Sequence, residues 1–199
     1  MYKRQLQQHQ RQRLIQNEWA SPEGQVYPIW EICDVDLGAT PCIVGVDYGE
    51  SGVSAAVYLQ RYEGNWVATA EYYHDGHRQG KRDGVQHAQA IKQHAPGPIT
   101  KALIDPSARD LRHALRRAGV NAINAYNKAD GYDITNGGLQ SGALRINSNR
   151  CSALVTEIED LVYDQRMNKP DLNCADHATD CLRYAYCDVA PMRKATKNF

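Results

Sequence analysis

Residues 42–59, CIVGVDYGESGVSAAVYL, limit the fold more than any other stretch of the chain. The run Ile43-Val44-Gly45-Val46 is too short for a helix and rich in β-branched residues, so it reads as a buried strand. It ends in Asp47, and Tyr48-Gly49-Glu50-Ser51-Gly52 has turn chemistry. A second strand follows, with Val53, Ala55, Val57 and Leu59 on one face and Ser54, Ala56, Tyr58 and Gln60 on the other. A carboxylate closing a central strand has two explanations, a turn cap or a metal ligand. Asp47 taken alone is explained by the first.

The later elements follow from short connections. Glu63-Gly64-Asn65 reads as a hairpin loop leading to a third strand over 66–73, and three strands so joined are antiparallel. A polar loop over 74–84 carries Arg78, Lys81 and Arg82, and a helix over 85–94 stops at Pro96-Gly97-Pro98. A fourth strand over 101–105 again ends in an aspartate, Asp105. Ser107 and Asp110 fit a capping box, which predicts a helix over 108–118. Its Arg109, Arg112 and Arg116 form a basic side, which a solvated helix face explains as well as a nucleic-acid contact does. A fifth strand over 121–126 completes a strand–helix–strand unit, which implies parallel pairing. Residues 127–149 hold Gly-rich turns and read as a loop or hairpin; residues 150–163 and 173–188 read as helices. Residues 25–36, with Val26, Tyr27, Ile29, Trp30 and Ile32, are apolar enough to lie across the domain, and residues 1–20 have only a sparse apolar stripe.

Composition narrows the function classes. The 199 residues carry zero formal net charge with His neutral, so any nucleic-acid contact must come from a local basic patch. No apolar run reaches the length of a membrane span and no signal peptide is read, so a chain that is neither membrane-embedded nor secreted is expected. The six cysteines form no C-x-x-C pair and are expected to be reduced thiols. Cys174, His177 and Cys181 match no common zinc spacing.

The stretch Asp176-His177-Ala178-Thr179-Asp180-Cys181-Leu182-Arg183-Tyr184-Ala185-Tyr186 is the most specific in the chain. On a helix Asp176 and Asp180 share one side, and His177 neighbours Asp180. An aspartate in a first helical turn is ordinarily explained by the helix dipole. Two aspartates and a histidine crowded together, with two strand-end aspartates elsewhere, go beyond that explanation. Three antiparallel strands followed by alternating helices and strands give the order of the RNase H-like fold. In that fold Asp47 and Asp105 end neighbouring parallel strands and the last helix brings Asp180 to them. The expectation is therefore an α/β protein with a mixed five-stranded sheet flanked by helices.

The segments GVDYG at 45–49, ALIDPS at 102–107 and DHATDCLRYAY at 176–186 resemble the three acidic motifs of the nuclease domain of phage large terminase subunits. Residues 17–30, NEWASPEGQVYPIW, resemble the region that joins motor to nuclease in that family. The resemblance implies metal-dependent endonucleolytic cleavage of concatemeric double-stranded viral DNA during genome packaging. Asp47, Asp105 and Asp180 are then the catalytic, metal-binding residues, with Asp176 and His177 as further ligand candidates. Hard oxygen donors favour two Mg²⁺ or Mn²⁺ ions over zinc. Lys81, Arg82, Lys128, Arg145 and Arg150 are the basic groups expected to meet DNA phosphates near loops on the active edge. The implied partners are double-stranded DNA, the portal protein and the small terminase subunit, in the cytoplasm of an infected bacterial host. Cys181 stands where the family has Ala, and no G-x-x-x-x-G-K-[ST] phosphate loop is present. The expected layout is a linker at 1–40 toward a missing ATPase domain, a nuclease domain at 41–190 and a tail at 191–199. Two other readings are a resolvase- or transposase-type nuclease and a non-catalytic DNA-binding module on the same fold. An actin-like ATPase would need a second phosphate hairpin, and none is found.

Overall fold

The computed structural model describes residues 24–49, 52–126, 130–164 and 169–191. The weak helix expected at 1–20 and the tail beyond 191 lie outside them, as does Lys128.

Strands β1 (Cys42–Tyr48), β2 (Val53–Tyr62) and β3 (Asn65–Asp75) form an antiparallel meander. The short helix α1 (Gly76–Gln79) and α2 (Gly84–His94) follow, then β4 (Ile99–Ile104), α3 (Arg109–Arg117) and β5 (Ala122–Asn124). β4 lies parallel beside β1, and β5 parallel beside β4. Next come α4 (Asp130–Gln140), β6 (Leu144–Ile146) and α5 (Ser152–Asp160). A two-stranded ribbon of β7 (Tyr163–Asp164) and β8 (Lys169–Pro170) leads to the last helix, α6 (His177–Val189). The main sheet runs β5-β4-β1-β2-β3-β6, an α/β arrangement of the RNase H-like type with β1 near its centre.

The strand count corrects the expectation of five. β6 pairs parallel with the start of β3, from Trp66↔Leu144 to Ala68↔Ile146. Residues 127–149 were expected to be a loop or hairpin because Gly131, Gly137 and Gly138 lower helix propensity. Gly131 and Gly138 are there for contact. A β-carbon on Gly138 would lie 2.3 Å from the Tyr186 ring, and one on Gly131 3.3 Å from Cδ of Arg183. Helix α4 therefore lies close against α6, and tertiary packing overrides the local preference. The capping box expected from Ser107 and Asp110 is not formed: Ala108 is the N-cap of α3 and no side chain caps it. The Ser107 hydroxyl instead donates to Oδ1 of Asp105. A capping box does occur on α2, between Asp83 and Gln86.

Strand alternation divides the core. Val44, Val46, Ala56 and Tyr58 face α2 and α3, where Ile91, Leu111 and Leu115 are buried. Ile43, Ala55, Val57 and Leu59 face α4, α5 and α6, where Leu139, Leu154, Ile158, Cys181 and Leu182 are buried. The segment 24–40 straps this second layer, with Val26, Tyr27 and Trp30 inserted into it. Its backbone bridges Val162 from Gln25 and Ile146 from Ile32.

Period-two alternation puts Gly45 and Asp47 on the α6 side of β1. A β-carbon on Gly45 would lie 1.9 Å from the Cys181 carbonyl oxygen and 3.0 Å from the Ala185 nitrogen. Both are backbone atoms, so nothing flexible yields. Gly45→Ala is expected to cost about 3 kcal/mol by forcing helix and strand apart. A lowered midpoint of urea unfolding at unchanged slope would show it, and a midpoint equal to wild type would disprove the tight fit.

Candidate active site

Asp47 at the end of β1, Asp105 just beyond β4 and the first turns of α6 meet at one edge of the sheet. The parallel register of β1 with β4 carries Val46 level with Ile104, so the two aspartates leave neighbouring strands together. The Asp105 N–H donates to the Val46 carbonyl, tying the two strand ends.

Each carboxylate has defined partners. Oδ2 of Asp47 lies 2.8 Å from Nδ1 of His177. Oδ1 of Asp105 accepts from the Ser107 N–H at 2.7 Å and from the Ser107 hydroxyl. Oδ1 of Asp180 accepts from Nη2 of Arg183 at 2.8 Å and Nε at 3.1 Å, with the Tyr132 hydroxyl at 3.4 Å. The Tyr184 hydroxyl lies 3.0 Å from Oδ2 of Asp105 and 3.2 Å from Oδ2 of Asp180. Asp176 is the N-cap of α6, and its carbonyl rather than its side chain begins the helix by accepting from the Asp180 N–H at 2.7 Å.

Burial pushes the Asp180 carboxyl above its usual range despite the Arg183 guanidinium, and the charges of Asp176 and Asp47 add to the rise. Burial raises Asp176 likewise, with Asp47 adding to it while His177 opposes it. The hydrogen bond to Asp47 raises His177, favouring the imidazolium. Acids that burial and mutual repulsion hold back from ionising are the groups a cation would relieve. The donor set of carboxylate oxygens with one imidazole suits a hard divalent ion. Among the described residues no three His, Cys, Asp or Glu side chains converge as a metal cage.

The Cys174, His177 and Cys181 group does not gather. Cys174 donates to the Asp160 carbonyl, whereas the buried Cys181 thiol accepts from the Asp47 N–H and donates to the Ala55 carbonyl, both at 3.1 Å. Cys181 thus sits over the β1–β2 pair that carries Asp47, beyond the small-residue filler its Ala-like position implies. All six cysteines are free thiols.

The basic residues separate. Lys81 is exposed and Arg82 donates to the Tyr72 hydroxyl at 3.1 Å, both on the segment leaving β3 at the carboxylate edge. Arg145 is opposite Val67, at the far end of the sheet from Asp47, and pairs with Glu31 of the strap at 3.2 Å. Arg150 pairs with Asp36 of the strap at 2.7 Å. The strap therefore takes up two cations that were expected near the active edge. On α3, Arg112 donates to the Asn124 side chain and Arg116 to the Ala122 carbonyl, so part of that basic face is tied to β5.

Four groups at the site have roles that the sequence motifs do not assign. Arg183 and Tyr184 follow Asp180 at helical spacing, a signal that was available. Tyr132 and Glu157 come from other helices, and nothing local reveals them. Glu157 of α5 is buried, and its Oε2 accepts from the Ala178 and Thr179 N–H groups, so it caps α6 from outside. Tyr73 donates to its other oxygen at 3.0 Å.

No protein-family model matches the chain, and no curated protein sequence does. Solved structures do. The large terminase of a thermophilic bacteriophage, in complex with ADP, matches at TM-score 0.72 and 24% identity over 89% of this chain and 48% of that one. The P22 large terminase nuclease domain matches at TM-score 0.61 and 15% identity over 82% of this chain and 91% of that domain. The large terminase nuclease of thermophilic phage G20c, solved with bound magnesium, matches at TM-score 0.60 and 12% identity over 82% of this chain and 97% of that one. The chain thus spans about half the length of the ADP-bound large terminase and nearly all of the two nuclease domains. It shares the fold of phage terminase nuclease domains.

Burial pushes Glu157 up to about 7 even though three donors to its carboxylate oppose the rise. A folded-state value above the unfolded one means that the stability this group contributes is complete below about 4.5 and is lost as pH rises through about 7. Glu157→Gln is expected to remove this component, visible as a flatter plot of melting temperature against pH across that window. Glu157→Ala leaves two backbone donors unpaired and is expected to cost about 2–4 kcal/mol. A pH profile unchanged in Glu157→Gln would contradict the assignment.

Proposed function

We propose that this chain is a metal-dependent endonuclease that hydrolyses DNA phosphodiesters in phage genome packaging. What supports the reading is that Asp47 and Asp105 leave neighbouring parallel strands while the Tyr184 hydroxyl bridges Asp105 and Asp180 of the last helix, on a fold shared with terminase nuclease domains. In this reading the three aspartates would hold two divalent ions, Mg²⁺ or Mn²⁺, with Asp176 and His177 as further ligand candidates. A divalent cation bound there supplies Lewis acidity toward a phosphodiester and lowers the pKa of an attacking water. His177 orients Asp47 through its Nδ1, and Ser107 fixes one oxygen of Asp105. Lys81 and Arg82 leave the same edge and are the described basic candidates for the DNA backbone.

The terminase setting extends the reading to partners. Double-stranded DNA is the substrate, and the portal protein and small terminase subunit are the assembly partners, in the host cytoplasm. Residues 1–40 then serve as a linker toward an ATPase domain, with the nuclease at 41–190 and a tail at 191–199. Among the described residues no helix is long and apolar enough to cross a membrane. The carboxylates' existing partners give one observation in favour of a non-catalytic DNA-binding module, and the same experiment separates the two.

Purified protein is expected to nick or linearise plasmid DNA with Mn²⁺ or Mg²⁺ and to lose that activity in EDTA. Asp47→Asn and Asp105→Asn are each expected to abolish cleavage. Cleavage that persists in either variant removes that aspartate from the site, and DNA binding without cleavage in wild type favours the non-catalytic module. Cleavage should also fall steeply with added salt, since phosphate contacts release counterions.

A further inference from the structure

The structure assigns Arg183 and Tyr184 as positioning residues that fix Asp180, one oxygen each, and aim it at Asp105. The inference rests on the nuclease reading above. It concerns how the acids are arranged and not which of them act.

Arg183 is 2% exposed, which a guanidinium tolerates only when fully engaged. Nε and Nη2 both point at Oδ1 of Asp180. Its planar head lies 4.5 Å from the Tyr132 ring centroid and 4.7 Å from that of Tyr184. Its aliphatic stem lies against Gly131, where a β-carbon would come within 3.3 Å of Cδ. Rings on two helices and a glycine thus hold one side chain whose two-point grip leaves Asp180 little freedom to rotate. Helix α4, the element with the poorest helical sequence, supplies two of the three contacts.

Tyr184 acts on the other oxygen. Its hydroxyl carries a single hydrogen and faces two carboxylate oxygens, at 3.0 Å and 3.2 Å. It serves one of them at a time, yet its position sets the separation of Asp105 and Asp180. With Oδ1 of Asp180 held by Arg183, Oδ2 is the oxygen turned toward Asp105. Asp105 and Asp180 held at this separation would be placed to share a divalent cation. Partners behind ligating carboxylates commonly carry 10–100-fold of metal affinity.

The experiment titrates Mn²⁺ alone into the purified chain by calorimetry, with Tyr184→Phe and Arg183→Lys beside wild type. Tyr184→Phe keeps the ring and removes the hydroxyl; Arg183→Lys keeps the charge and removes the two-point grip. Both are expected to bind Mn²⁺ about 10–100-fold more weakly. In plasmid cleavage both are expected to lower kcat with KM for DNA unchanged. If Tyr184→Phe does not fold, Arg183→Lys carries the test. Variants that melt lower without metal but bind Mn²⁺ as tightly as wild type show a packing role only and overturn the inference. A wild-type chain that takes up no Mn²⁺ overturns the nuclease reading beneath it, a result distinct from equal binding by wild type and variants.

Discussion

Helix α6 rests on strand β1 at Gly45, where the Cys181 carbonyl occupies the space of a missing β-carbon. The close approach fixes more than a packing distance. Cys181 reaches down to the Asp47 N–H and the Ala55 carbonyl, so the helix is bonded into the strand pair beside Asp47. His177, one turn earlier, then meets the Asp47 carboxylate, and Asp180 lies on the side turned to β4 and Asp105. The relation of Asp180 to Asp47 follows from one glycine and one thiol, and the β1–β4 register adds Asp105. A bulkier residue at either place would displace the helix from the strand before it touched any carboxylate.

The helix is also held at its end by a borrowed group. No side chain of its own N-cap satisfies the first N–H groups of α6; Glu157 of α5 does so. Helix α5 is capped in the same manner, because both oxygens of Glu71 on β3 accept from the Ala153 and Leu154 N–H groups. Two glutamates thus pass orientation from the sheet to α5 and from α5 to α6. Each places negative charge at a positive helix end, where the backbone dipoles favour it. The cost is a buried carboxyl at Glu157, whose raised pKa records that burial outweighs its three donors. Rigid helices positioned from a sheet in this way suit a site whose acids repel one another.

Much of this edge was legible in the sequence. The β-branched runs gave β1 and β2, the short connections gave the meander, and both strand-end aspartates fell where alternation and turn chemistry put them. Asp180 was legible from its spacing to Asp176 and His177. What escaped was what the fold contributes from afar. Helix α4 was hidden because Gly131 and Gly138 suit contact with α6 better than they suit a helix in isolation. β6, three residues long, takes its strand character from the edge of β3 and not from its own pattern. Glu157 lies 21 residues from Ala178 in sequence, so no local motif announces the cap. The pairing of Arg145 and Arg150 with strap acids was hidden for the same reason: charge in sequence does not say which acid is near.

The electrostatics of the edge follow from those placements. Asp47, Asp105, Asp176 and Asp180 lie around the start of α6, with Arg183 and His177 as the facing cations. One guanidinium and one imidazolium leave two formal negative charges uncompensated when all four acids ionise. Burial makes that excess costly, which is why Asp176 and Asp180 are shifted toward their neutral forms. Two devices can settle it, protons or a cation. Arg183 limits the choice, because it holds Oδ1 of Asp180 and keeps that residue ionised more readily than burial alone would allow. An edge where one acid is paired with a buried guanidinium and its neighbour is held nearby through a shared phenol is poised for positive charge to enter. Because Arg183 and Tyr184 follow Asp180 on the same helix, this bias is built into the turn that carries the acid.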